Sequence, residues 1–211
     1  TKEAAPWLRS AIESAVTPFQ SNGIDQIPVN ATLPAVPIEQ VAEVLSWFPG
    51  CNTIKIKVGT KEDLARIREV FRINAAAQVR LDANGLWSVA EAKKILESLY
   101  SEFGSSLDYV EQPCASVSEL IDLKNEMQNW NQPIQFAVDE LLRMSSNVDI
   151  AAIQTAADIL VVKAIPLGGY IRMIGMVPPA RDGKDATGPF AEIVNSARKQ
   201  SMEEIEPGDE N

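Results

Sequence analysis

Two lysines stand close together in an otherwise apolar stretch, "TIKIKVG" at residues 53–59. In a strand, residues i and i+2 point to the same face, so Lys55 and Lys57 share one side while Ile54 and Ile56 share the other. Such an apolar run is typical of a buried strand, and buried ammonium groups require negatively charged partners. The stretch therefore predicts a polar site into which two lysines point.

Further charged residues lie near the carboxyl ends of the strand-like stretches that follow along the chain. Asp82 lies in "QVRLDANG", Glu111 in "LDYVEQP", Asp139 in "QFAVDE" and Lys163 in "DILVVKAIP". Three carboxylates from successive strands form an oxygen-only set, which suits a hard cation, and Mg²⁺ is the natural candidate. The charge of the ion and the repulsion between the lysines would lower the pKa of a lysine toward the range of a general base.

Histidine does not occur among the 211 residues, and this narrows the chemistry. Its absence excludes Ser-His-Asp and Cys-His nucleophiles and every zinc site with histidine ligands. Acid–base catalysis by this chain must therefore use lysine, carboxylate, tyrosine or cysteine side chains.

Composition and charge argue against a nucleic-acid-binding or membrane-spanning protein, and they favour a location in the cytoplasm. The formal net charge of −10 argues against a nucleic-acid-binding surface, because such surfaces are basic. No apolar stretch reaches the ~18–20 residues of a membrane span, and the opening "TKEAAPWLRS" does not have the pattern of a signal peptide. Cys51 and Cys114 are too few for a disulfide framework, and they predict reduced core thiols.

Strand-like and helix-like stretches alternate along the chain. Apolar residues at i, i+3, i+4 and i+7 predict helices between the strands, and two later helices begin with capping boxes, Ser88–Glu91 and Ser116–Glu119. The strands recur roughly every 23–29 residues, which is the size of one βα unit. The six predicted strands lie at 27–33, 53–59, 78–85, 107–113, 135–140 and 158–166.

The charged faces of these strands favour a barrel over an open sheet. Helices cover both faces of a doubly wound sheet, and its strands are therefore apolar throughout. In a parallel (β/α) barrel, one strand face packs on the helices and the other faces the interior, with the active site at the carboxyl ends. We therefore predict an α/β fold, with a partial barrel over residues 1–169 and a divergent tail at 170–211 that contains one amphipathic helix and an acidic end.

At these residues the chain resembles a known enzyme family. The stretches "IKIKVG", "VRLDANGLW", "DYVEQPCASVSEL", "VDELLR" and "ADILVVKAIPLGG" occur in order. They are similar to the barrel domain of the o-succinylbenzoate synthases of the enolase superfamily, in their actinobacterial form, and the resemblance covers residues 3–169. It implies a lyase that uses Mg²⁺ to dehydrate 2-succinyl-6-hydroxy-2,4-cyclohexadiene-1-carboxylate to 2-succinylbenzoate in menaquinone biosynthesis.

The resemblance also implies a role for each charged residue. The implied Mg²⁺ ligands are Asp82, Glu111 and Asp139. Lys57 would remove the proton α to the substrate carboxylate and return it to the departing hydroxyl in a syn elimination. Lys163 would stabilise the enediolate from the opposite side. Lys55, near the substrate carboxylate, and Asn84, beside the metal ligands, would have supporting roles.

Two alternatives remain open from the sequence. One is an N-acylamino-acid racemase or dipeptide epimerase of the same superfamily, in which both lysines move protons on opposite faces of the substrate. The other is a non-catalytic remnant, because six βα units are two fewer than a closed barrel contains and the capping domain of the family is not seen. We therefore expect an incomplete barrel that is not a competent synthase by itself.

Overall fold

The residues described by the computed structural model are 5–16, 29–130, 134–143 and 150–169. They fall into two compact units, one formed by Gly23–Val161 and the other by Thr1–Asn22 together with Val162–Asn211. All described strands belong to the first unit. The predicted tail, with its helix and acidic end, lies outside the described residues, so the domain boundary predicted at residue 169 stays a prediction.

One parallel sheet forms the framework of the first unit. Its strands are β1 (Ala31–Leu33), β2 (Thr53–Lys57), β3 (Gln78–Asp82), β4 (Leu107–Glu111), β5 (Gln135–Val138) and β6 (Ile159–Leu160). Every neighbouring pair is parallel, and the spatial order follows the sequence from β1 to β6. Parallel neighbours in sequence order need a crossover connection, which the helices between them supply. The predicted alternation of strands and helices is confirmed.

Several strands end before the sequence predicts, and backbone conformation explains two of these ends. The stretch predicted as strand 78–85 leaves the sheet after Asp82, because Asn84 and Gly85 adopt φ angles of 50° and 74°. The next predicted strand ends at Glu111, because Gln112 adopts a φ of 44°. Positive φ angles are incompatible with extended strand structure, so the chain turns where the charged residues are placed.

Helices connect the strands on the side away from the charged face. In the first unit they are α2 (Val41–Ser46), α3 (Asp63–Ile73), α4 (Val89–Phe103), α5 (Val117–Glu126), α6 (Glu140–Arg143) and α7 (Ile150–Ala156). Both predicted capping boxes are confirmed, since Ser88 and Glu91 cap α4 reciprocally and Ser116 and Glu119 do the same for α5. The second unit contains α1 (Pro6–Val16) and α8 (Ala164–Leu167). In the described part of the chain, no helix has both the length and the hydrophobicity that a bilayer span requires.

The strands have one apolar face that is almost fully buried. Side chains at alternate positions, including Ile56, Leu81, Val110 and Phe136, are at most 1% exposed. Burying one such side chain contributes about 1.5–3 kcal/mol, so this face supplies much of the stability of the sheet. The opposite positions carry the lysines and carboxylates, and the two-faced pattern predicted from the sequence is confirmed.

Candidate active site

The register of the sheet gathers charged residues at the carboxyl ends of its strands. Lys57 is paired with Asp82 across β2 and β3, and Asp82 is paired with Glu111 across β3 and β4. Lys55 lies two residues before Lys57 on the same face, and Asp139 directly follows β5. Asp82, Glu111 and Asp139 are each at most 2% exposed, so the charges lie inside the protein.

Lys55 bridges two of the carboxylates. Its Nζ lies 2.6 Å from Glu111 Oε2 and 2.8 Å from Asp82 Oδ2. Burial lowers the pKa of Lys55, but hydrogen bonds with Asp82 and Glu111 outweigh that effect and leave the pKa above its usual value. Lys55 therefore stays a cation at neutral pH.

Lys57 is held by a carboxylate and an amide. Its Nζ lies 2.5 Å from Asp82 Oδ2 and donates to Asn84 Oδ1 at 3.0 Å. Asn84 is fixed in turn, because its Nδ2 donates to Glu140 Oε1 at 3.0 Å and its backbone N–H donates to Asp82 Oδ1 at 3.3 Å. The Lys57 side chain is 37% exposed, so the ammonium group is both oriented and accessible to a small molecule.

The pKa values of two neighbouring carboxyl groups, Asp82 and Glu111, are shifted in opposite directions. Burial raises the pKa of Asp82, but its hydrogen bonds with Lys55 and Lys57 outweigh burial and lower the pKa overall. For Glu111 the pKa is raised, because burial and the charges of Asp82 and Asp139 outweigh the hydrogen bond from Lys55. The negative charge of Glu111 is therefore incompletely compensated, and a cation beside it would relieve the repulsion.

The donor set is compatible with Mg²⁺. Glu111 Oε1 is buried and accepts no hydrogen bond from the described residues, although a buried carboxylate oxygen normally has a partner. Oxygen ligands are what Mg²⁺ requires, and usually one or two carboxylates suffice. Within the described ranges, no group of three or more His, Cys, Asp or Glu side chains is arranged so that it could hold a metal ion. Lys55 contacts oxygens of Asp82 and Glu111, so ion binding would require Lys55 to move away and the carboxylates to rearrange.

Lys163 lies in the other compact unit. It precedes α8 in an extended backbone conformation, and its side chain is exposed. Direct contacts thus bring together five of the seven predicted residues, which are Lys55, Lys57, Asp82, Asn84 and Glu111. Asp139 lies two residues beyond Ala137, which pairs with Glu111 in the sheet. The role of Lys163 stays a prediction.

The structure adds supporting residues that sequence reasoning missed. Asp63, at the start of α3, accepts hydrogen bonds from the backbone N–H groups of Gly59 and Thr60 at 2.6 and 2.9 Å. The buried Arg66 guanidinium pairs with Asp63 and donates to Val36 O at 3.3 Å. These bonds fix the loop that follows Lys57. No helix-capping pattern in the sequence marks these bonds, because Asp63 binds N–H groups of the loop that precedes α3 and not those of the helix N-terminus.

Fold and site together define a class of protein. Parallel strands with helical crossovers, and a cluster of lysines and carboxylates at the strand carboxyl ends, are the features of an enzyme domain of the (β/α)-barrel type. The family described as "Enolase C-terminal domain-like" matches residues 39–180. The chain belongs to this family, and the predicted enolase-superfamily barrel architecture is confirmed.

Curated relatives carry the name that the sequence motifs suggested. The o-succinylbenzoate synthase of Mycolicibacterium smegmatis is 42% identical over 177 residues, which is 82% of this chain and 52% of that protein. The o-succinylbenzoate synthase of Mycobacterium tuberculosis is 41% identical with the same coverage. The chain therefore spans about half the length of the curated relatives that it matches.

Solved structures support the fold. A muconate cycloisomerase from Pseudomonas fluorescens superimposes with a TM-score of 0.57 at 20% identity, over 81% of this chain and 44% of that chain. An enolase from Bradyrhizobium, complexed with magnesium and mandelic acid, superimposes with a TM-score of 0.56 at 19% identity, over 71% of this chain and 42% of that chain. At these identities the similarity concerns architecture alone.

Proposed function

We propose that this chain forms the catalytic part of an o-succinylbenzoate synthase. The reaction is the Mg²⁺-assisted syn dehydration of 2-succinyl-6-hydroxy-2,4-cyclohexadiene-1-carboxylate to 2-succinylbenzoate, a step of menaquinone biosynthesis. The observation that carries the proposal is the position of Lys57, an accessible ammonium group oriented by Asp82 and Asn84 beside buried carboxylates. The name of the curated relatives, at 41–42% identity, supports the same reaction.

Lys57 performs both proton transfers in this proposal. As a neutral amine, it takes the proton from the carbon α to the substrate carboxylate. The electrons of that C–H bond first pass to the substrate carboxylate, which becomes an enediolate, and they then form the last double bond of the ring as the C–O bond to the hydroxyl breaks. The resulting ammonium group returns the proton to the hydroxyl, which leaves as water. One lysine can remove the α-proton and protonate the hydroxyl, because in a syn elimination the proton and the hydroxyl leave from the same face of the ring.

The buried carboxylates are the proposed ligands of the ion. Asp82, Glu111 and Asp139 would hold Mg²⁺, and this assignment is supported by the Glu111 oxygen that has no hydrogen-bond partner among the described residues. When bound, the ion would act as a Lewis acid that spreads the negative charge of the substrate enediolate. Asp82 has a second role, because its contact with Lys57 at 2.5 Å keeps the amine directed at the same place.

Lys55, Asn84 and Lys163 complete the proposed set. Lys55 stays positively charged and can attract the carboxylate group of a substrate. Asn84 orients Lys57 through its side-chain oxygen. Lys163 is proposed from the sequence resemblance as the second cation that stabilises the enediolate. The proposed partner is a small carboxylate substrate, and the two free thiols, Cys51 and Cys114, support a cytoplasmic location.

The proposal is tested by measuring the dehydration directly. The 211-residue chain is assayed with the cyclohexadiene substrate and Mg²⁺, alongside a chimera in which residues 1–169 replace the matching segment of the Mycolicibacterium smegmatis synthase. We expect the chimera to form 2-succinylbenzoate and to lose activity when Mg²⁺ is chelated. A folded chimera that racemises N-succinylamino acids and does not dehydrate the substrate would contradict the proposal.

A further inference from the structure

Gln112 has an unusual backbone conformation at the centre of the site. It directly follows Glu111, is 1% exposed and adopts a φ of 44°. Residues other than Gly, Asn and Asp rarely take this left-handed conformation, since the Cβ atom is crowded by the backbone. Such strain persists only where surrounding contacts hold the residue, and it is concentrated at functional sites.

The backbone of Gln112 joins the ends of three strands. Its N–H donates to Ala137 O in β5 at 2.7 Å, and its C=O accepts from the N–H of Gly85, beyond β3, at 2.6 Å. The left-handed conformation directs these two groups toward opposite neighbours at the point where β4 ends. The segment that carries Glu111 is therefore tied on both sides.

The side chain of Gln112 reaches the segment that carries another candidate ligand. Its Oε1 accepts from the backbone N–H groups of Asp139 and Leu141, both at 3.4 Å. Its Nε2 donates to Cys114 O at 2.8 Å, which fixes the orientation of the amide. An inverted amide would place donors against the two N–H groups, so one arrangement satisfies all of these partners.

We propose that Gln112 is a positioning residue that sets the separation between Glu111 and Asp139. Glu111 is the preceding residue in the chain, and the Asp139 backbone is bound by the Gln112 side chain. The residue contacts no reacting atom in this proposal and acts through the two carboxylates. The inference rests on the proposed function for the identity of the ion, and it assigns a role to a residue outside the set of charged groups.

The test compares variants of Gln112 in their affinity for Mg²⁺, measured by titration calorimetry on the full 211-residue chain. Gln112→Met keeps the length of the side chain and removes its hydrogen bonds, and Gln112→Gly also relieves the positive φ. Val110→Ala is the matched control, because Val110 lies on the same strand, is fully buried and faces the helices. We expect both Gln112 variants to bind Mg²⁺ about 10–100-fold more weakly, which is typical for loss of a group that orients metal ligands.

Each outcome of this titration decides the proposal. Weaker Mg²⁺ binding by both Gln112 variants, with unchanged binding by Val110→Ala, supports it. Wild-type affinity in Gln112→Met would overturn it. Wild-type affinity in Gln112→Gly would also overturn it, since the side chain would then be dispensable. Equal weakening in Val110→Ala would overturn it as well, because the effect would follow from lost stability.

Amide hydrogen exchange separates this inference from the proposed function. In Gln112→Met, we expect the amides of Asp139 and Leu141 to exchange faster than in the wild type, with or without an ion. The amide of Asp158, which donates to Phe136 O at 2.8 Å, is the internal reference and should not change. If the wild-type chain binds no Mg²⁺, the metal proposal fails. The exchange rates of the Asp139 and Leu141 amides still test the positioning role of Gln112. Unchanged rates in Gln112→Met would overturn that role.

Discussion

The two faces of the sheet carry different kinds of buried side chains, apolar on one face and charged on the other. The helix-facing side is filled by aliphatic and aromatic side chains such as Leu81 and Val110, whose contribution depends mainly on size and burial. The interior-facing side buries Asp82 and Glu111, whose charges cost free energy unless lysines or an ion compensate them. The comparison indicates that one face stabilises the fold and that the other carries the candidate active site.

The largest expected effect concerns the interior-facing side. In the proposed chimera, Lys57→Ala should lower turnover by at least the ~10²–10⁴-fold that general acid–base catalysis typically contributes, because it removes the proposed base and acid together. Turnover is followed by the appearance of 2-succinylbenzoate. Lys61→Ala is the control, since Lys61 lies exposed on the following loop and should leave the rate unchanged. A near-native rate for Lys57→Ala would mean that another group moves the proton.

The next effect concerns the affinity for the ion. Glu111→Gln should weaken Mg²⁺ binding by more than the ~10–100-fold cost of losing a group that orients metal ligands, because a neutral amide replaces a proposed charged ligand. Titration calorimetry measures the change. Glu126→Gln makes the same substitution in the exposed pair with Lys93 and should have no effect. Unchanged Mg²⁺ affinity in Glu111→Gln would remove Glu111 from the ligand set.

Substitutions on the helix-facing side should lower the free energy of unfolding and leave the Mg²⁺ affinity unchanged. Leu81 is fully buried, so Leu81→Ala should lower the free energy of unfolding by about 2–5 kcal/mol, with Mg²⁺ affinity unchanged in the folded protein. Denaturant titration gives the stability. Leu86→Ala makes the same substitution at a leucine that is 66% exposed and should change stability by about 0.5 kcal/mol or less. A loss of Mg²⁺ affinity in Leu81→Ala would show that the two faces are not independent.

The smallest effect is a dependence of stability on acid pH. The pKa of Asp82 in the folded protein lies below its ordinary value of 3.8, so its charge stabilises the fold above that pH. This contribution is lost as the pH falls through the folded pKa, because the unfolded chain then binds more protons. The slope of the free energy of unfolding against pH, measured by denaturant titration below pH 4, should therefore be shallower in Asp82→Asn than in the wild type. An unaltered slope in Asp82→Asn would contradict the stabilising contact with the lysines.

Much of this arrangement could be predicted from the sequence. Alternating faces in β2 and β3 follow from period-2 patterning, which predicts that Lys57 and Asp82 lie on the same side of the sheet. The capping boxes at Ser88 and Ser116 are local, since each needs only a residue three positions later. Features that depend on a few neighbouring residues were therefore predicted correctly.

The remaining features depend on contacts between distant segments. Gln112 has no sequence signal for a left-handed conformation, which is normally associated with Gly or Asn, and only its partners on neighbouring strands explain it. A register shift between Val79 and Arg80 in the pairing of β3 with β4 lets Asp108 contact Arg80 Nε at 2.7 Å. Neither feature follows from strand periodicity, because both arise when the sheet is assembled.

The central claim is that Asp82, Glu111 and Asp139 hold one divalent cation beside Lys57. A crystal structure of the chain grown with Mn²⁺ in place of Mg²⁺ tests it most directly, because anomalous scattering locates the ion independently of the protein. We expect one anomalous peak bound by oxygens of these three carboxylates, with Lys55 displaced from Asp82 and Glu111. A peak elsewhere would contradict this claim. The claim would also be contradicted if no ion lay between the carboxylates and Lys55 kept its contacts with Asp82 and Glu111.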